Sequence, residues 1–465
     1  MKKFFIATLG CKVNQYESDG IATELESNGW TRKKKAIDAD ICIINTCTVT
    51  SKAAMQSRQT IRSIIRANPD AEIIVTGCHA QTAPDEIKKI KGVHCITGHK
   101  DKFNIAKAVL LQEQKQVHEK KNVQEKEQKK EQKKEQKQKF NLLPFPESNQ
   151  CTDNRFYSFS PAVTGNMTRA YLKIQDGCNA FCTYCIVPYA RGRSCSMPEN
   201  DVINHLEHLK NKGYTEAVIT GIHTGMYGLD FKKKSSLFQL LKKIDKLKPI
   251  YRIRLSSVEP KELTDDIIEL AAQSSTICDH FHIPLQSGDD EILKRMKRPY
   301  DSEFFKNIIL KIHSLMPYAA IGVDILQGFP GESEQAFKNT HDLIKDLPIS
   351  YLHVFPFSPR KGTPAFNYPD KIKPEILKYR CSIMRKLGKE KKIQFIKNNI
   401  GRKIESVIQN KRDKKTGMLK AVTSNYLTIL AKGEDELKRK IVEIIPERLE
   451  SDNIITGKIT SSAGS

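Results

Sequence analysis

The chain has 465 residues, about three domains at roughly 150 residues each, and its 39% hydrophobic content is enough to build real cores. No run of ~18 consecutive apolar residues occurs and the mean hydropathy is −0.49, which excludes a membrane-spanning helix. The 77 Lys and Arg against 54 Asp and Glu leave +23 and a pI near 9.4, a field that favours polyanions such as nucleic acid.

The start of the chain, from Met1 to Cys11, superficially resembles a lipoprotein leader. Its apolar run, 4–9, falls short of the roughly 7–15 residues of a signal segment, and Cys11 is followed by helix-patterned sequence, so the run reads as a first strand. Twelve cysteines without an export signal point to a reducing, cytoplasmic setting, where clustered thiols bind metal or do chemistry more often than they form disulfides.

Strand-like and helix-like segments then alternate: 3–9, 15–28, 40–45, 51–67, 71–76, 85–91 and 93–97. This βαβαβαβ pattern predicts an α/β domain over 1–111 with an open parallel sheet, whose crevice lies at the carboxyl ends of the strands. Cys11, Cys47 and Cys78 each follow such an end, so three distant segments should deliver three thiols to one sheet edge. Cys42 and Cys95 fall inside strands and read as core.

Residues 112–150 form a Lys/Glu/Gln-rich linker with no core of its own. Its 112–139 stretch carries ten lysines and six glutamates, so most of the positive charge lies on the other segments. Strand patterns return at 171–175, 216–220, 253–257, 280–285, 320–325 and 351–357, separated by helical stretches. Six βα units over 164–400 predict a partial (β/α)6 barrel with its reactive residues just past the strands. Five short strand patterns over 401–462 predict a small all-β barrel, a shape used for oligonucleotide binding or as a structural cap.

The sharpest motif is Cys178-x3-Cys182-x2-Cys185, directly after the first barrel strand. Three thiolates on a four-iron cubane leave one iron open for an exogenous ligand, whereas an electron carrier supplies four cysteines and structural zinc favours paired C-x2-C knuckles. At these residues the chain resembles the radical S-adenosylmethionine superfamily. The resemblance implies S-adenosylmethionine chelated to the open iron, reductive loss of methionine, and a 5′-deoxyadenosyl radical.

Further motifs narrow the resemblance: Leu9-Gly10-Cys11-Lys12-Val13-Asn14-Gln15-Tyr16-Glu17-Ser18, Asn45-Thr46-Cys47-Thr48-Val49-Thr50, Gly77-Cys78 and Gln175-Asp176-Gly177-Cys178. Together they are similar to the radical S-adenosylmethionine methylthiotransferase family, over essentially the whole chain outside the linker. That likeness implies a second 4Fe-4S cluster on Cys11, Cys47 and Cys78 that carries or donates sulfur, an RNA-binding TRAM barrel, and methylthiolation using two molecules of S-adenosylmethionine. The run after Cys11 resembles the branch that modifies carbon 2 of N6-threonylcarbamoyladenosine in the tRNA anticodon loop. The alternatives are isopentenyladenosine in tRNA, a ribosomal protein, or a non-catalytic iron-sulfur RNA-binding protein. A splayed loop base suits such an enzyme, with phosphate contacts recruiting the tRNA and the base pocket selecting it.

The expected partners are the tRNA anticodon loop and an electron donor such as flavodoxin or ferredoxin, with the chain expected as a monomer. Strand-end candidates for S-adenosylmethionine contacts are Thr220, Gly221, Ser257, Glu259, Gln286 and Asp324, each also readable as a polar cap. Tyr184 is a candidate to stack on adenine or to shield the cluster. Gly328-Phe329-Pro330-Gly331-Glu332 reads as a βα turn. Arg191 and Arg193 resemble the family's basic loop, but Cys195 stands where relatives continue with arginine, which weakens a substrate role there. Cys151, Cys195, Cys278 and Cys381 fit neither trio.

Overall fold

The computed structural model describes residues 2–111, 156–159, 167–450 and 454–462; the 112–150 linker reading and Cys151 lie outside them. The chain divides into two compact units, one of residues 1–162 with 186–193, the other of 163–185 with 194–465. Sequence reading placed 186–193 inside the barrel domain; its packing assigns it to the first unit.

In the first unit, strands β1 (Lys3–Thr8), β2 (Thr31–Arg32), β3 (Ile41–Thr46), β4 (Glu72–Gly77) and β5 (Cys95–Ile96) form one parallel sheet in the order β2-β1-β3-β4-β5. The two-residue strand β2 was not anticipated, being too short to show a period. Ile43, Ile44 and Val75 are fully or almost fully buried, as the β-branched runs require of a sheet covered on both faces. Cys42 and Cys95 are buried in these strands, Cys42 within the core beneath the helix Ser51–Ala67.

In the second unit β6 (Ala170–Lys173), β9 (Glu216–Thr220) and β10 (Arg252–Leu255) pair in parallel, as do β11 (His280–Gln286), β12 (Ala320–Gln327) and β13 (Tyr351–Pro356). Parallel bridges Ile253–Ile277 and Ser257–His282 join the two halves into a six-stranded partial barrel in sequence order. An unanticipated ribbon, β7 (Gln175–Asp176) with β8 (Cys195–Ser196), follows the first strand, and its Cys195 is buried with Sγ 3.7 Å from the Asp176 carbonyl.

All five expected carboxyl-terminal strands are present as β14 (Ile404–Ile408), β15 (Leu419–Thr423), β16 (Thr428–Ala431), β17 (Ile441–Leu449) and β18 (Ile455–Ser462), closed in the order β14-β15-β16-β18-β17. One buried carboxylate ties this small barrel to the larger one. Glu216 accepts from Arg252 at 2.8 Å and Arg254 at 3.0 Å, and those guanidinium groups donate onward to the carbonyls of Val422 at 3.0 Å and Ser424 at 2.7 Å. Burial opposes ionisation of Glu216, but Arg254, Arg252 and Arg169 outweigh it and hold its carboxyl at about 2.

Candidate active site

The parallel register explains why three distant cysteines meet. Thr8 lies beside Asn45 and Thr46 beside Gly77, so the residues that leave β1, β3 and β4 emerge together at one edge. Gly10 at φ +102 packs where a Cβ would meet the Cys47 Sγ at 2.9 Å, and Gly77 at φ +94 where a Cβ would meet the Thr46 carbonyl at 2.4 Å. The Ser57 hydroxyl accepts from the Cys47 amide at 3.1 Å and donates to its carbonyl at 2.9 Å. Burial pushes the Cys47 thiol up to about 11, Cys78 and Cys11 push it the same way, and Arg191 opposes them.

The run after Cys11 builds the floor of this edge. The Asn14 amide donates to the carbonyls of Leu9 at 2.7 Å and Thr46 at 3.1 Å, and Asn45 donates to the Asn14 carbonyl at 3.0 Å. Glu17, fully buried, accepts from Lys102 at 2.7 Å and from Arg191 at 3.0 Å, while Arg191 also donates to Asn14 Oδ1 at 2.6 Å. Arg191, one of the two cations on this carboxylate, draws the Cys11 and Cys47 thiols toward ionisation, the sense an anionic thiolate-held cluster needs. Three converging thiols with this compensation fit a cubane with one open iron. Asn14, Glu17 and Lys102 were not singled out in the sequence as site residues, and Arg191 serves here rather than in an exposed basic loop.

In the second unit the loop of Cys178, Cys182 and Cys185 leaves β6 through β7, at the carboxyl end of the barrel. Thr183 pins it, donating through its amide to the Met296 carbonyl at 3.1 Å and through its hydroxyl to the Arg295 carbonyl at 2.9 Å. Arg298 reaches Cys182 Sγ at 3.3 Å and pairs with Glu259, and His223 Nδ1 lies 3.2 Å from Cys178 Sγ with Nε2 3.1 Å from Glu262. Burial pulls His223 down, but its bonds to Cys178 and Glu262 lift it to about 9. A cavity of about 710 Å³ opens beside the loop, lined among others by Ala180, His223, Glu259, Glu262 and Arg298. Its size and convergent polar groups suit a nucleoside-sized cofactor next to the cysteines. His223, three residues past a strand end, was legible by the barrel rule; Arg298 was not.

The other expected residues divide. Thr220 ends β9, and Gly221 leaves room for the Gln175 side chain, whose Oε1 accepts from the His223 amide at 2.8 Å. Gln286 ends β11 in the left-handed region at φ 69. The Tyr184 ring packs edge-on to Phe329 at 6.5 Å, beside a core of Met296, Leu326 and Ala365. Asp324, expected at a strand end, sits inside β12, which runs two residues further than its apolar pattern. Its Oδ1 lies 3.0 Å from His282 Nε2 and 3.1 Å from His353 Nδ1, and Ser257 Oγ meets His282 Nδ1 at 2.5 Å. Ser257 and Asp324 thus belong to one polar chain across three strands. Although burial raises the Asp324 carboxyl, hydrogen bonds from His282 and His353 prevail and hold it near 2. Gly328 at φ 75 and Gly331 at φ 85 form a turn in which Glu332 accepts from the Gly328 amide at 3.0 Å.

Comparison with known proteins agrees with this arrangement. Residues 3–98 match an uncharacterized protein family, UPF0004, and residues 172–344 the radical SAM superfamily. The threonylcarbamoyladenosine tRNA methylthiotransferase MtaB of Bacillus subtilis is 37% identical over 94% of this chain and 92% of its own. The tRNA-2-methylthio-N(6)-dimethylallyladenosine synthase of Carboxydothermus hydrogenoformans is 32% identical over 95% and 96%. Among solved structures, the radical S-adenosylmethionine methyltransferase TsrM of Kitasatospora setae shares the fold at TM-score 0.54 and 16% identity, over 79% of this chain and 77% of that one. Likeness of this extent, falling on a chain with the cysteine trios in place, leads to one conclusion: the protein belongs to the radical S-adenosylmethionine methylthiotransferase family and is MtaB-like within it.

Proposed function

We propose that this enzyme installs a methylthio group at carbon 2 of N6-threonylcarbamoyladenosine next to the anticodon of tRNA, using two 4Fe-4S clusters. The observation that carries the reading is the pair of three-thiol sites, one in each unit, each with a cation against its cysteines. S-adenosylmethionine and iron-sulfur clusters are the cofactors of this family, and bound at the Cys178–Cys185 loop they supply a 5′-deoxyadenosyl radical.

The chain's own residues do the rest. Cys178, Cys182 and Cys185 hold the radical-generating cluster, and Arg298 and His223 compensate their charge. Tyr184, Thr220, Gly221, Glu259 and Gln286 flank S-adenosylmethionine at the strand ends, and Tyr184 shields the cluster from water. Cys11, Cys47 and Cys78 hold the sulfur-handling cluster over the Glu17, Lys102 and Arg191 floor. Ser257, His282, Asp324 and His353 form the polar wall on which the substituent of the target base rests. A threonylcarbamoyl arm carries a carboxylate, a urea and a hydroxyl that such a wall can pair, whereas an isopentenyl arm gains nothing from it. The wall therefore favours the first substrate over the second, and MtaB-named relatives at 32–37% identity support it. Of the described helices, none is long and apolar enough to cross a membrane; a cytoplasmic monomer reduced by flavodoxin or ferredoxin completes the proposal.

The test is mass spectrometry of tRNA nucleosides from cells with and without the gene. Loss of 2-methylthio-N6-threonylcarbamoyladenosine, with its precursor accumulating, supports the reading. Persistence of that nucleoside with loss of the isopentenyl counterpart refutes the substrate, and no change in either refutes tRNA methylthiolation.

A further inference from the structure

A second cavity, of about 510 Å³, opens where β12 and β13 of the large barrel begin. Its walls include Ala320, Ser350 and Tyr351 at the starts of β12 and β13, and Arg169 just before β6. His353, the outer member of the polar chain on Asp324, lines it as well, so the cavity borders the polar wall. The helix Pro374–Lys397 and the β15–β16 turn of the small barrel close it.

Its chemistry is one-sided. Arg169, Arg385, Lys389 and Lys392 line it, and no Asp or Glu does. Arg385, Lys389 and Lys392 follow helical spacing, so they form one stripe, and all three are exposed. None has a carboxylate or hydrogen-bond partner among the described residues. Three like charges on one helix face repel one another and gain nothing from the fold, whereas an anion placed against them would relieve that repulsion.

The aromatic lining is as particular. Tyr426 takes a left-handed backbone at φ 69, which costs a bulky residue strain and persists only where its surroundings impose it. They do: the Thr423 hydroxyl accepts from the Leu427 amide at 2.7 Å, and the Asn425 amide donates to the Tyr318 carbonyl at 3.0 Å. The imposed turn leaves Tyr426 39% exposed, its ring 6.3 Å from the Tyr351 ring, with the Arg254 guanidinium 5.1 Å and that of Arg169 5.7 Å from its centre. Arg254 and Arg169 are held by Glu216 and back the ring, while Arg385, Lys389 and Lys392 stay available in the same cleft, the combination that receives a single-stranded nucleotide: phosphate on the free cations, base on the rings.

We propose that this cleft is a nucleotide-binding exosite, which holds one unpaired nucleotide of the tRNA other than the one that reacts. The inference rests on the tRNA reading above and adds a second point of contact to it. Because His353 borders both the cavity and the polar wall, a nucleotide held here would lie beside the arm of the target base, and the RNA would be oriented as well as recruited.

The experiment uses the full-length, cluster-reconstituted enzyme and fluorescence-labelled tRNA, with affinity measured from about 50 to 300 mM KCl. Replacing Arg385, Lys389 and Lys392 together by Ala should lower the salt slope by about 2, as expected for two or three lost phosphate contacts. Tyr426→Ala should weaken binding about 5- to 100-fold, while Tyr426→Phe, which keeps the stacking face, should bind like the wild type. Cleavage of S-adenosylmethionine without tRNA should be unchanged in every variant, which shows the cysteine end intact. Wild-type affinity and slope in the triple variant and in Tyr426→Ala would overturn the proposal. A reduced slope with no effect of Tyr426→Ala would also overturn it, leaving a diffuse phosphate-attracting surface. If the wild type makes the methylthio nucleoside while these variants bind normally, the exosite alone fails. If the variants lose binding but the wild type makes no methylthio nucleoside, the reaction assignment fails and the exosite stands.

Discussion

Glu17 gives the first unit its sharpest test. Its carboxylate is fully buried between Lys102 at 2.7 Å and Arg191 at 3.0 Å. Glu17→Gln keeps the shape and removes the charge, which takes from Lys102 and Arg191 the carboxylate they share; breaking a buried pair from one side costs roughly 3–5 kcal/mol. Arg191→Met leaves Lys102 to neutralise Glu17 and forfeits charge-assisted hydrogen bonds, for about 1.5–3 kcal/mol. In the double variant the Arg191–Glu17 contact is lost only once, so its loss should fall short of the sum by at least ~1 kcal/mol. The chain itself provides the assay. Its single tryptophan, Trp30, lies in the first unit at 5% exposure, so denaturant titration of the whole protein followed by Trp30 fluorescence reads that unit alone. Stability of Glu17→Gln within ~1 kcal/mol of wild type, or strict additivity in the double variant, would refute the charge argument.

Other expectations are as direct. Glu216, held at about 2 against an ordinary 4.5, contributes stability that is complete above pH 4.5 and lost as the pH falls toward 2. The depression is worth about 3 kcal/mol, and Glu216→Gln should abolish that acid dependence in the hydrogen exchange of β15 amides; an unchanged profile would show that the carboxylate does not hold the two barrels together. His353→Phe removes a donor from the polar wall and should lower kcat/KM for tRNA carrying threonylcarbamoyladenosine at least tenfold, about 1.4 kcal/mol, with S-adenosylmethionine cleavage retained; an unaltered kcat/KM would remove His353 from substrate recognition. Cys182→Ala should abolish 5′-deoxyadenosine formation, whereas Cys47→Ala should continue to form it without a methylthio product; product from either variant would break the division of labour between the two trios.

What the sequence made legible follows from physical range. The strands announced themselves because β-branched runs such as Ile41–Thr46 must be buried on both faces, and the rule that loops follow strand ends then placed six cysteines. Strand β2 and the β7–β8 ribbon stayed hidden because two residues carry no period. The long-range polar pairs were equally silent: Arg191 meets a carboxylate 174 positions away, and His282 and His353 share Asp324 across three strands. Partners so far apart leave no local spacing to read. Asp324 was found but placed at a strand end, because its strand continues through Leu326 and Gln327 after the β-branched residues stop.

The same contacts change what the Lys12–Ser18 run means. Sequence resemblance treats it as the mark of a substrate branch, yet Asn14 secures the loops of Cys11 and Cys47, Tyr16 donates to the Phe159 carbonyl at 2.9 Å, and Glu17 pairs with two buried cations. The residues of this run with described partners inside the first unit serve its architecture, so the run identifies a lineage through its structural solution to holding three thiols. Selection of the base must then reside elsewhere, on side chains that can reach its substituent. The polar chain of Ser257, His282, Asp324 and His353 meets that requirement, since His353 is 52% exposed and keeps its Nε2 outside the contact it makes to Asp324. A variant that exchanged Asn14 for another residue should therefore impair cluster retention on any tRNA alike, whereas changes at His353 should discriminate between tRNAs that differ only in the arm on the target adenine. Iron and sulfide content of the purified protein, compared with relative rates on the two tRNAs, separates the effects; altered tRNA preference in the Asn14 variant at full cluster content would return the specificity role to that run.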